Sequence, residues 1–102
     1  MATCSGSAET ANASRYLQQL CKHWGHRFVV EFDPSRGRIE FDADTVCQLD
    51  AGPERLSVRL EAADPARAES MKQVVENHLK RFAFREDFRI AWDGAASAAT
   101  AG

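Results

Sequence analysis

Apolar and polar positions alternate along this chain with two different periods, and the changes between them mark the elements. From Ala13 to Trp24 the apolar residues Ala13, Leu17, Leu20, Cys21 and Trp24 recur three or four apart, one stripe of an amphipathic helix. Asn12 stands at the N-cap position, and Gly25 where a left-handed residue would close the helix. From Phe28 the period drops to two: Phe28, Val30 and Phe32 alternate with Val29, Glu31 and Asp33, which predicts a strand over 28–32. The same period predicts strands over 38–42, 45–50 and 55–61. They are separated by DPSRG (33–37), DAD (42–44) and DAGP (50–53), with Pro34 fixing φ and Gly37 free to take positive φ. Asp64 followed by Pro65 opens a second helix with a stripe of Ala68, Met71, Val75, Leu79 and Phe82. That helix should end near Phe82, with Phe84 folding back, and a last strand is expected over 88–92.

Before the first helix only Ser7 to Thr10 suggests a strand, and weakly. Residues 1–6 and 94–102 hold small and polar side chains, so both are expected to be flexible tails around a single domain, 7–93. The order is β-α-β-β-β-β-α-β. A mainly antiparallel sheet with one wet face buries its dry face under both helices, which makes the fold class α+β, a two-layer sandwich. Leu17, Leu20, Trp24, Phe28, Val30, Phe41, Leu56, Val58, Val75, Leu79, Phe82 and Ile90 should fill the space between the layers.

Charge narrows the functional classes. Thirteen basic and fifteen acidic residues leave a net charge of −2 in 102 residues, without the positive field of a nucleic-acid binder. No apolar run is long enough for a membrane span. The three cysteines are odd in number and lack CxxC spacing; Cys21 and Cys47 fall among apolar positions, which suits reduced thiols in a cytoplasmic protein. The start of the chain lacks the features of a signal peptide.

Candidate chemistry gathers at the two helix ends. The stretch CKHWGHRF (21–28) supplies Lys22, His23, His26 and Arg27; HLKRFAFRE (78–86) supplies His78, Arg81 and Arg85. Cys21 and His23 are two apart and point about 200° away from each other on a helix, so they do not chelate together. Zinc needs three or four converging ligands, so no metal site is expected, and no cofactor motif is present. Basic groups in a last turn also complement the helix dipole, which accounts for both clusters without a ligand. Parallel helices would join the clusters in one basic rim at a sheet edge, able to hold a carboxylate or phosphate by charge-assisted hydrogen bonds. That rim is the expectation, although the intervening meander leaves the relative direction of the helices open.

Three stretches together carry a resemblance: ASRYLQQLCKHWGHRF (13–28), EFDPSRGRIEF (31–41) and HLKRFAFREDF (78–88). They resemble a family of small bacterial proteins of unknown function, sometimes found beside siderophore-interacting, ferric-siderophore-reducing proteins. The resemblance implies a setting in iron acquisition and brings no catalytic residues with it. Two functional classes follow. One is a non-catalytic accessory or binding module, a monomer or weak dimer, for a small anionic ligand or a siderophore-pathway protein. The other is a metal-dependent or histidine-based enzyme using His23, His26 and His78.

Overall fold

The computed structural model describes residues 2–93 and the backbone of Ser97–Ala98. Its elements are β1 (Ala2–Glu9), α1 (Ala13–Trp24), β2 (Val29–Phe32), β3 (Arg36–Asp42), β4 (Thr45–Ala51), β5 (Arg55–Ala62), α2 (Pro65–Phe82), β6 (Ala91–Trp92) and β7 (Ser97–Ala98). The sheet order is β2-β3-β4-β5-β1-β6, with β7 also pairing β1, and every pairing is antiparallel. The helices touch each other, α1 lying over β2 to β5 and α2 over β5 and β1. This is the α+β two-layer sandwich that the periodicities predict.

Register shows why the alternation was readable. Val30, Ile39, Cys47, Leu60 and Cys4 form one row across five strands on the helix side. Glu31, Arg38, Gln48, Arg59 and Ser5 form the neighbouring row on the open face. A one-residue slip in any strand would exchange these rows, so burial fixes the register. Eight of the twelve expected core residues are buried, and Phe28, Val30, Phe41 and Phe82 are partly buried against the core.

Several local expectations need correction. Residues 2–6 are no tail: they form the first part of β1, which pairs with β5 along its whole length and lies inside the sheet. The other expected tail, 94–102, lies outside the described residues except for the backbone of Ser97–Ala98. The last strand is only Ala91–Trp92, because the Ile90 N–H donates to Glu76 Oε2 (3.0 Å) on α2 instead of joining a ladder. Trp92 Nε1 donates to the other oxygen of Glu76 (3.1 Å), so one carboxylate ties this segment to the helix.

Asn12 makes no cap hydrogen bond with its side chain, which donates instead to Glu86 Oε2 (3.2 Å). Gly25 is right-handed (φ −61°), because the chain coils on and both Arg27 and Phe28 donate to the Trp24 carbonyl. Gly37 is not in the turn; Asp33 makes that turn, its Oδ1 accepting from the Ser35 and Arg36 amides. Asp64 does cap α2, accepting from the Arg67 amide at 2.8 Å. Phe84 stays exposed rather than folding back.

The helices are antiparallel. The end of α1 meets the body of α2, where His78 stacks against Trp24, while its start meets the segment beyond α2, where Tyr16, Asn12 and Thr10 all donate to Glu86. The parallel arrangement that would give a shared basic rim is therefore not the one formed.

Candidate functional site

An aromatic notch forms where α1 ends. The turn after Trp24 carries Phe28 back beneath it, with ring centroids 6.3 Å apart. Phe41 stands beside Phe28 on β3 (4.9 Å), at a register shift between Glu40 and Asp42, and meets Trp24 edge-on at 5.0 Å. From α2, His78 closes to 4.8 Å of Trp24. Met71 and Val74 line the same side, and Arg27 and Arg67 complete the rim of a cavity of about 240 Å³.

Each polar group at the rim is held differently. Arg67 follows the Asp64 cap by three residues and bridges to Asp42 at 3.2 Å. The Asp42 carboxyl is held below its ordinary range, chiefly by the Asp44 amide, then by Thr45, with Arg67 contributing less. Arg27 rests over the Phe28 ring at 5.7 Å and makes no ion pair among the described residues. His78 Nδ1 lies 2.7 Å from the Val74 carbonyl. A carbonyl only accepts, so Nδ1 carries the proton, and Nε2 of the neutral ring is an acceptor.

The seven candidate residues are divided by this geometry. His23 lies 5.5 Å from His78 and 6.1 Å from Phe82, ring to ring, so these two imidazoles do meet. His26 lies past the helix, exposed, and makes no ring contact with either. Lys22 is exposed on α1. Arg81 is exposed on the last turn of α2, and Arg85 covers the exposed Phe84 ring at 5.4 Å. Arg85 adjoins Glu86, which is bonded at the start of α1, whereas Arg27 follows the end of that twelve-residue helix, so the two arginines belong to opposite ends of α1. Among the described residues, no group of three or more His, Cys, Asp or Glu side chains is placed to hold a metal ion.

Sequence reasoning placed Trp24, Phe28 and Phe41 in the core and missed that their rings also wall an open notch. It missed Arg67 entirely. The capping signal at Asp64 fixed where α2 begins, but only the docking of that helix beside the β3–β4 turn brings Arg67 to Asp42.

A family model described as an uncharacterized protein conserved in bacteria (DUF2218) matches residues 5–93. The chain belongs to that family. The similarity of this DUF2218 protein extends to a solved structure, the NMR structure of PA4090 from Pseudomonas aeruginosa. The two are 40% identical with a TM-score of 0.80, over 96% of this chain and 100% of that one. No curated protein matches the DUF2218 chain. Among its described residues, no helix is long and apolar enough to cross a membrane.

Proposed function

We propose that the protein is a non-catalytic binding module for a small organic anion, seated in the notch at the end of α1. One observation carries this reading: Trp24, Phe28, Phe41 and His78 surround a cavity open to solvent, with the Arg27 guanidinium, which has no ion-pair partner among the described residues, at its rim. Apolar walls with a few placed polar groups are the usual composition of a small-molecule site. The rings suit a flat apolar body, and Arg27 offers a fork to a carboxylate. At about 240 Å³ the cavity fits a single ring rather than a large ligand.

We place this module in the cytoplasm as an accessory in siderophore and iron handling. The resemblance read from the sequence supports that setting, and three free buried thiols support a reducing compartment. The histidine-based alternative rests on the pair His23–His78, and that pair lacks a third converging group among the described residues.

The test is a titration with benzoate, followed by amide shifts and by Trp24 fluorescence in a Trp92→Phe background. Benzoate should perturb Trp24, Phe28 and Phe41, and Arg27→Ala should weaken binding without changing the fold. An unperturbed notch at millimolar benzoate would overturn the reading.

A further inference from the structure

β2 is the outermost strand on its side of the sheet. An edge strand presents unpaired N–H and C=O groups, and proteins usually blunt it with charge, proline, a bulge or a covering element. β2 carries a single charge, Glu31, and two exposed large apolar side chains, Val29 (60%) and Phe32 (40%). The hydrogen-bonding phase of this edge follows from the adjoining turn. The Asp33 N–H donates to the Arg36 carbonyl at 2.8 Å, so Asp33 faces β3, and by the alternation of an antiparallel ladder so do Glu31 and Val29. Val30 and Phe32 therefore turn their N–H and C=O groups outward, where no other strand of the described residues lies. Phe28 shares that phase, but its N–H already donates to the Trp24 carbonyl at 2.9 Å.

We infer that β2 pairs antiparallel with β2 of a second copy, about a two-fold axis at Val30, so that two chains share one continuous sheet. Directly opposed residues in an antiparallel pair share a face, so a two-fold axis normal to the sheet matches even positions with even ones. With Val30 opposite Val30, the two residues exchange both backbone hydrogen bonds. Each Phe32 N–H then donates to the Phe28 carbonyl of the other copy. On the helix side Phe28 faces Phe32 across the axis, which covers the exposed ring. On the open face Val29 lies opposite Glu31, and no like charges meet.

The neighbouring registers are poorer. Centring on Glu31 sets two carboxylates side by side, which is unfavourable. Centring on Val29 sets Phe32 opposite His26, which lies outside the strand, so the exposed Phe32 ring is no longer covered by Phe28. A second copy is thus the occupant whose sequence fits this edge; Phe28 is shared with the wall of the notch, but no step of the pairing needs a ligand there.

Sedimentation equilibrium of the full chain tests it. The wild type should show a concentration-dependent monomer–dimer equilibrium. Val30→Pro removes an outward N–H unused within the chain, a change that edge strands tolerate, and should remain monomeric. Phe32→Lys is a second disrupting variant should the proline disturb folding, with the amide spectrum reporting the fold in both. A sample mixing labelled and unlabelled copies should give intermolecular contacts between the Phe28 and Phe32 rings. A wild type monomeric at the highest attainable concentration would overturn the inference. So would a dimer untouched by both variants, or intermolecular contacts that map to β6 or a helix.

Discussion

Replacing Gly37 with alanine adds one methyl group at a place where α1 sits directly on β3. A Cβ there would lie 2.7 Å from Cys21 Sγ and 3.4 Å from Leu17 Cδ2. Optimal separations between non-bonded carbons are about 3.5–4.0 Å, and sulfur is larger, so the first contact is short by roughly an ångström. Cys21 and Leu17 are both fully buried, so relief of the contact requires the core side chains themselves to shift. Overpacking of this kind costs about 1–3 kcal/mol. The alanine recovers about 0.5–1 kcal/mol, because glycine is entropically costly inside a strand. The two ranges leave an expected net loss of about 0–2.5 kcal/mol, read as a lower urea midpoint with an unchanged slope.

The same contact supplies an internal control. Cys21→Ala alone removes a buried sulfur and should cost about 1 kcal/mol. The double variant exchanges that sulfur for the new methyl, so it should be more stable than the sum of the single changes by about 1–2 kcal/mol. Gly37→Ala more stable than wild type would refute the reasoning. Additivity of the two changes within about 0.5 kcal/mol would refute it equally.

Three further outcomes follow from the packing and the buried polar groups. Leu79→Ala, at a fully buried position on α2, should cost about 2–5 kcal/mol through lost transfer energy and a cavity, measured by chemical denaturation. Tyr16 donates to Glu86, holding that carboxyl below its ordinary range, with Asn12 and Thr10 adding to the effect. The stabilisation is therefore complete above the unfolded carboxyl value of about 4.3 and is lost as pH falls through the lower folded value. Tyr16 itself is raised, first by burial and then by Glu86, so its contribution is complete below about 10 and is lost as pH rises through the folded value. Tyr16→Phe should flatten both limbs of the pH–stability curve, and identical curves would contradict the assignment. Burial pushes the Cys21 thiol up to about 11 and raises Cys4 and Cys47 as well, so a thiol reagent at mildly alkaline pH should label the chain only after unfolding.

β1 shows what the hydrophobic pattern hides. Its inward residues Ala2, Cys4, Gly6 and Ala8 do alternate with Thr3, Ser5, Ser7 and Glu9, but the side chains are small and the contrast between faces is low. The strand lies under α2 between β5 and β6, and at Gly6 a Cβ would come within 2.9 Å of the Ala91 carbonyl, Ile90 and Trp92, so this position takes only the smallest residue. A segment that looks like a polar tail is thus part of the sheet interior. Over 88–92 the pattern misled in the opposite sense. Phe88 and Ile90 are buried as their alternation suggests, but Glu76 captures the Ile90 amide, and burial proceeds without a ladder. Alternation reports which side chains face inward, while the backbone partner depends on tertiary docking.

The relative direction of the helices follows from the number of reversals between them. Four strands between α1 and α2 reverse three times; α1 runs against β2, its start at Pro34 and its end at Phe28, and α2 starts beside the end of β5, which makes five reversals in all. An odd number of reversals makes the helices antiparallel, whatever else the sheet does. That parity separates the basic ends: Arg85 goes with the start of α1, while Lys22 and Arg27 remain at its finish. It also brings His78, one turn before the end of α2, against Trp24. The result differs in kind from a rim of pooled charge. Arg27 lies over the Phe28 ring and makes no ion pair among the described residues, while Arg67 on the same rim is paired with Asp42. A pooled rim would hold any anion, with an affinity that falls steeply as salt screens it. A notch with one free guanidinium and aromatic walls selects for shape as well as charge, so benzoate binding should outlast inorganic phosphate binding as salt is raised.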